Sequence, residues 1–167
     1  MKNNNSDFLN QTNRGSVHET ALRFLSRREY SVAGLREKLV TKFPEDLEEV
    51  EAVLKALQQK GWLSDERFTE LLIREKAEIS HWGPRKILMK LREKGIDPAL
   101  AEEQLAKLYS EEDQQKAALI LAEEKRKKLR AQKTPAGKER EKLFSFLAQR
   151  GFEIGSLNAV LDEVLKS

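Results

Sequence analysis

From about Val17 to the C-terminus, apolar residues recur at three- and four-residue spacing with hardly an interruption. That period places them on one face of an amphipathic helix. Ala21, Leu22 and Leu25 form one such stripe, Val32, Leu35 and Leu39 a second, and Val50, Val53, Leu54 and Leu57 a third. No stretch alternates apolar and polar residues with β-branched enrichment, which is what a half-buried strand requires. The chain is therefore expected to be all-α.

Caps and breakers divide the stripes. A first helix is expected over about Val17–Arg28, with a charged corner at Arg27-Arg28-Glu29-Tyr30-Ser31. Ser31 suits the N-cap of a second helix running to about Lys42, because its hydroxyl can accept from an otherwise unpaired N–H of the first turn. Pro44 prevents simple continuation. Asp46 with Glu49 resembles a capping box for a third helix that Gly61 stops. Ser64 or Asp65 caps a helix to about Ile79, with Phe68, Leu71, Leu72 and Ile73 apolar. Gly83-Pro84 opens the helix carrying Ile87, Leu88 and Leu91, which ends at Gly95. Asp97-Pro98 opens the next, with Leu100, Leu105 and Leu108. Ser110 caps a longer helix to about Ala131. Thr134-Pro135 starts another, which Gly151 stops, and the last carries Leu157, Val160, Leu161 and Val164.

These elements repeat. Aligning Leu39, Leu91 and Leu147 places Leu35, Ile87 and Leu143 four positions earlier and Lys42, Lys94 and Arg150 three positions later. Apolar residues return at Leu105 and Leu108, at Leu161 and Val164, and one residue later at Leu54 and Leu57. Three tandem three-helix units are expected, over 17–61, 62–109 and 110–167, after a disordered polar tail at 1–16.

Composition narrows the function. Hydrophobic residues make up 39% of the 167 and charged residues 35%, the balance of a helix-rich soluble protein and not a disordered one. No apolar run approaches the roughly 20 residues that span a bilayer. The first residues lack the apolar segment of an export signal, so a cytoplasmic location is expected. There is no cysteine, which excludes disulfides, thiolate metal sites and cysteine nucleophiles. His18 and His81 fall in different units. His18-Glu19 lacks the second histidine of a zinc-protease motif, and Gly137-Lys138 has Gln132 where a phosphate loop needs glycine. There is no nucleophile elbow. No convergent catalytic set emerges, so no enzyme activity, cofactor or metal is expected.

Charge is more informative than chemistry. The net charge is only +3, but Lys125 to Lys142 hold nine basic residues against two acidic ones, a local surplus of seven. A second cluster, Arg85, Lys86, Lys90, Arg92 and Lys94, is opposed only by Glu93. Such faces attract phosphates or acidic protein surfaces through a salt-sensitive field. The competing explanation for any one run is a solvated helix face; two on one small repeat array favour a polyanionic or acidic partner. Arg85, Lys86, Lys90, Lys125, Lys127, Lys128 and Arg130 are the expected contact residues. Phe24, Phe68, Phe144, Phe146 and Phe152 fit a core, and Trp62 fits a seal between units. Trp82, in a loop beside a basic face, suits either packing or stacking on a base.

Leu22–Leu39 (LRFLSRREYSVAGLREKL), Gly61–Phe68 (GWLSDERF), Gly83–Ile96 (GPRKILMKLREKGI) and Leu147–Phe152 (LAQRGF) resemble the RecX family of recombination regulators, in the same order and spacing. The resemblance extends from about Val17 to the end. One position departs: Gly34 stands where the family usually has Glu, so the capping box begun by Ser31 is incomplete, at a cost of ~1 kcal/mol or less.

The resemblance implies three tandem three-helix bundles in an elongated, curved array. Scattering would test this, since a compact chain of this length has a radius of gyration near ~15 Å. It also implies a non-enzymatic regulator that lodges in the helical groove of the RecA–DNA filament and inhibits RecA's ATPase, strand exchange and coprotease activity. Single- or double-stranded DNA is a further implied partner. A stand-alone DNA-binding protein is the alternative, because three-helix units can present helix-turn-helix geometry. No dimerisation seam or short Arg/Asn/Gln-rich recognition helix is evident, which counts against that alternative; a monomer is expected. A helical scaffold for another protein is the third possibility.

Overall fold

A computed structural model of the chain describes Gly15 to Lys166, the side chain of Ala136 excepted; residues 1–14 of the expected tail lie outside the described residues. Among the described residues there is no strand, as the unbroken helical period predicts. The chain separates into two compact units, one up to Phe68 and one from Thr69 onward.

The first unit packs α1 (Val17–Leu25), α2 (Val32–Lys42) and α3 (Leu47–Gln59) against one another. Ser16 accepts from the Glu19 N–H, and the Glu19 carboxylate accepts from the Ser16 N–H. This complete capping box begins α1 where the sequence had suggested only tail. Ser31 accepts from the Gly34 N–H at 3.0 Å, as its cap role requires. The Val32 N–H donates to Asp65 at 2.8 Å, so a second orphan donor of α2 is satisfied from 33 residues away. Asp65 is partly buried, which raises its carboxyl above the usual value, while the Val32 bond pulls it back down. Asp46 makes no side-chain cap bond: at ψ 37° it has left the extended conformation a capping residue needs, and the expected box with Glu49 does not form.

The core of this unit gathers Val17, Ala21, Tyr30, Leu35, Leu39, Val50, Leu54 and Leu57, each contributing roughly 1.5–3 kcal/mol when a large side chain is buried. The charged corner is resolved by it. Tyr30 turns inward beside Phe24, with ring centroids 6.0 Å apart, and the Arg28 guanidinium lies over its ring at 4.6 Å. Glu29 accepts both arms of Arg67, whose remaining donors bond the carbonyls of Gly61 and Trp62. Trp62 is 49% exposed, with the Lys60 ammonium 5.0 Å from its ring centre.

The division between units falls within α4 (Asp65–Arg74), which runs into one wide turn of π-helix over Glu75–Ile79. The second unit continues with α5 (Pro84–Glu93), α6 (Pro98–Leu108), α7 (Glu111–Ala131), α8 (Ala136–Gln149) and α9 (Ile154–Lys166). Helices α7, α8 and α9 pack mutually, α5 packs on α6, and the π turn lies against α7. Asp97 and Ser110 cap α6 and α7 as expected. The six aligned apolar positions Leu35, Leu39, Ile87, Leu91, Leu143 and Leu147 are all 0% exposed.

Candidate functional site

The basic residues of the second unit divide into structural and available ones. Arg126 belongs to the interior. It is 9% exposed, donates to the carbonyls of Val164 and Leu165, and holds its Nε 3.6 Å from the buried Glu139 carboxylate. A cation here satisfies the free carbonyls at the end of α9 and complements that helix's negative pole. Arg140 is likewise engaged, with Asp162 at 2.6 Å and Asn158 at 3.2 Å. The run from Lys125 to Lys142 is therefore less uniformly available than its composition suggests.

Of the expected contact residues, Lys127 and Lys128 lie exposed on α7, and Arg85 lies exposed at the start of α5. None of these three has an ion pair among the described residues. Lys90 pairs with Glu93 at 2.7 Å, and that hydrogen bond and charge hold the Glu93 carboxyl below its usual range. Arg130 stands 3.9 Å from Glu139 and so shares its charge with the interior. Lys86 and Lys125 are partly buried, each against an aromatic ring.

Those two rings organise the surface. Trp82 carries the Lys86 ammonium 4.3 Å and the Lys76 ammonium 5.1 Å from its ring centre. Phe146 carries Lys125 at 5.4 Å and the Arg150 guanidinium at 5.1 Å. Each contact is worth ~0.5–1 kcal/mol at an exposed site, enough to set where the cations rest but not to hold them against a stronger partner.

A glycine seam joins the two platforms. The Gly83 N–H donates to the Arg150 carbonyl at 2.8 Å, and the Arg85 N–H donates to the Gly151 carbonyl at 3.0 Å. Gly151 has φ +92°, and a Cβ on it would lie 2.5 Å from the Lys86 backbone nitrogen. A Cβ on Gly83 would lie 2.2 Å from the Gly151 carbonyl carbon. The start of α5 and the end of α8 thus touch backbone to backbone, which places Lys86 and Arg150 side by side. Beyond Phe146, Lys125, Lys138, Lys142 and Glu141 line a groove of about 520 Å³ between α7 and α8.

Lys76 and Arg150 were not among the expected contacts. Arg150 had been visible only as the basic residue that recurs after each aligned leucine, and Lys76 had not been singled out at all. Among the described residues no group of three or more acidic or histidine side chains is placed to hold a metal ion, and no helix is long and apolar enough to cross a membrane.

Comparison with known proteins bears on what such a surface meets. Residues 18–57 match the model of the RecX first three-helix domain, and residues 64–105 match that of the RecX second three-helix domain. A "Regulatory protein RecX" of Legionella pneumophila is 36% identical over 149 residues, covering 89% of this chain and 95% of that one. The crystal structure of RecX from Lactobacillus salivarius superposes with a TM-score of 0.77 at 24% identity, covering 89% of this chain and 94% of the other. A second crystal structure, of a regulatory protein RecX, gives 0.79 at 20% identity, covering 100% and 80%. At those identities the two structures speak for the fold.

Proposed function

The chain belongs to the RecX family, and on that premise we propose that it binds the RecA–DNA filament in the filament's helical groove and inhibits RecA's ATPase, strand exchange and coprotease activity. The observation that supports this most is the joined basic surface at the start of α5 and the end of α8, where Arg85, Lys86, Arg150 and Lys125 lie along one seam. Lys127 and Lys128 extend the contact set along α7, and Lys90 and Arg130 join it with part of their charge already neutralised.

Cations in such an arrangement meet phosphates or acidic protein surfaces through a field that salt screens within about 8–10 Å. A protein lodged in the groove bridges adjacent RecA subunits. It opposes the motions that accompany ATP turnover and blocks access by a second strand or a coprotease substrate. No step requires chemistry on this chain, which acts as a cytoplasmic monomer and not as an enzyme.

The test is the single-stranded-DNA-dependent ATPase of the cognate RecA, titrated with this protein at low and high salt. Dose-dependent inhibition that weakens with salt is the expected result. If neither ATPase nor LexA-type cleavage responds to stoichiometric protein, the reading fails. The cations without an ion pair among the described residues also leave room for stand-alone duplex binding, for which sequence-dependent retardation of duplex DNA without RecA is the discriminating observation.

A further inference from the structure

We propose that Trp82, with the Lys76 and Lys86 ammonium groups on its ring, is a stacking site for an unpaired base of single-stranded nucleic acid. The inference stands apart from the filament reading, since nothing in it requires RecA.

Trp82 is not a core residue that happens to reach the surface. It remains partly exposed although it lies in a turn built with unusual backbone. The π turn of Glu75–Ile79 closes with the Ser80 N–H on the Glu75 carbonyl, and the Trp82 N–H reaches back to the Lys76 carbonyl at 2.9 Å. Between them His81 takes φ +49°, a left-handed conformation that costs a non-glycine residue on the order of 1 kcal/mol or more. One residue on, the Gly83 N–H is bound to the Arg150 carbonyl. Backbone hydrogen bonds on both sides of the tryptophan fix the main chain that carries its ring. Strain retained at such a point is common where a side chain must be held in one place for binding.

The ring's neighbours suit a nucleotide. An indole face gains about 1–3 kcal/mol from stacking a base, whatever its identity. The Lys86 and Lys76 ammonium groups now rest on the ring, and Lys76 also pairs with Glu75 at 2.6 Å. A lysine is a compact charge on a flexible four-carbon stem. When a base takes the ring face, the displaced ammonium can swing to the adjoining phosphate, so the site exchanges two weak cation–ring contacts for stacking plus charge pairing. Arg85, next to Lys86 in sequence, is exposed and has no ion pair among the described residues. Phe146, flanked by Lys125 and Arg150 across the glycine seam, repeats the same combination of ring and paired cations. An acidic peptide would use the lysines and leave both rings idle. A duplex would offer phosphates but keep its base faces stacked.

The chain has two tryptophans, so Trp62→Phe leaves Trp82 as the sole indole reporter without altering the site. Titrating that protein, free of RecA, with a short oligothymidylate is expected to quench its fluorescence saturably. A strand of the same length and charge that lacks bases is expected to bind about tenfold or more weakly and to leave the emission unquenched. Trp82→Ala should lose about the same factor for the oligothymidylate, while Trp82→Phe keeps most of the affinity. Equal affinity for the two strands overturns the proposal, and so does matching quenching by polyglutamate or by duplex. Because the readout exists in the Trp62→Phe protein alone, it does not depend on the Trp82→Ala variant folding. Failure here would leave inhibition of the RecA ATPase untouched as a separate question.

Discussion

Gly151 meets Lys86 so closely that a Cβ on the glycine would stand 2.5 Å from the Cβ of the lysine. Nothing but hydrogen fits there, and at φ +92° an L side chain would be strained even in open space. Gly151→Ala is therefore expected to cost ~2 kcal/mol or more, read as a lowered urea midpoint with an unchanged slope. Gly155, inside α9 with nothing within 4 Å of its added Cβ, is the control. Gly155→Ala should stabilise by ~0.5–1 kcal/mol through helix propensity alone. A Gly151→Ala protein as stable as its parent would mean that the seam opens freely and does not hold Lys86 beside Arg150.

Arg126 and Glu139 supply a second test. Arg126→Ala strips the last carbonyls of α9 of their donor and leaves the buried Glu139 carboxylate with the largely exposed Arg130, 3.9 Å away, as its one ion-pair partner among the described residues. Breaking a buried pair from one side costs roughly 3–5 kcal/mol. The paired change Arg126→Met with Glu139→Gln should recover part of that loss, because no charge is then buried alone. A thermal-denaturation cycle over the single and double variants measures the coupling. Additive losses would show that the two side chains act independently.

Much of the fold was legible because helical periodicity is a local signal. Leu35, Leu39, Ile87, Leu91, Leu143 and Leu147 could be placed in the interior from spacing alone, and all six are fully buried. Caps whose partner lies two or three residues on, such as Ser31, Asp97 and Ser110, were equally readable. Features set by distant partners were not. Arg126 reads as one cation in a basic run, because the carbonyls that draw it inside lie 38 and 39 residues later. The same holds for the bond from Val32 to Asp65 and for the pairing of Trp82 with Lys76 through a π turn, which has no simple sequence signature. The candidate surface was legible as two basic clusters, but the seam that joins them depends on an approach between Gly83 and Gly151 that no local pattern encodes.

The structure also refines which charges to reverse. Arg130→Glu would place a like charge near the buried Glu139 and confuse binding with stability. Lys127→Glu with Lys128→Glu avoids this, since both residues are exposed and unpaired among the described residues. Their reversal should leave the helical circular-dichroism signal and melting temperature unchanged while weakening binding to RecA filaments by about tenfold or more at low salt. Unchanged filament affinity would assign this part of α7 to solvent and leave Arg85, Lys86 and Arg150 as the contact surface.

Tyr109 gives the chain a pH dependence with a definite sign. Burial, and secondarily the Asp113 carboxylate, push its phenol from 10.0 up to about 12. Below pH ~10 the phenol is protonated in both folded and unfolded chains, and its contribution is fully present. Between pH ~10 and about 12 the unfolded chain loses the proton first, so that stability drains away as pH rises, by up to ~2 kcal/mol. The hydroxyl has no hydrogen-bond partner among the described residues, so Tyr109→Phe should be close to neutral, or slightly stabilising, at pH ~8. Other groups titrate in the same alkaline range, which makes the difference between the two proteins the quantity to measure. Urea midpoints at pH ~8 and ~11 should show the parent losing more stability than Tyr109→Phe. A parallel decline in both would mean that the phenol ionises in the folded protein as readily as in the unfolded chain.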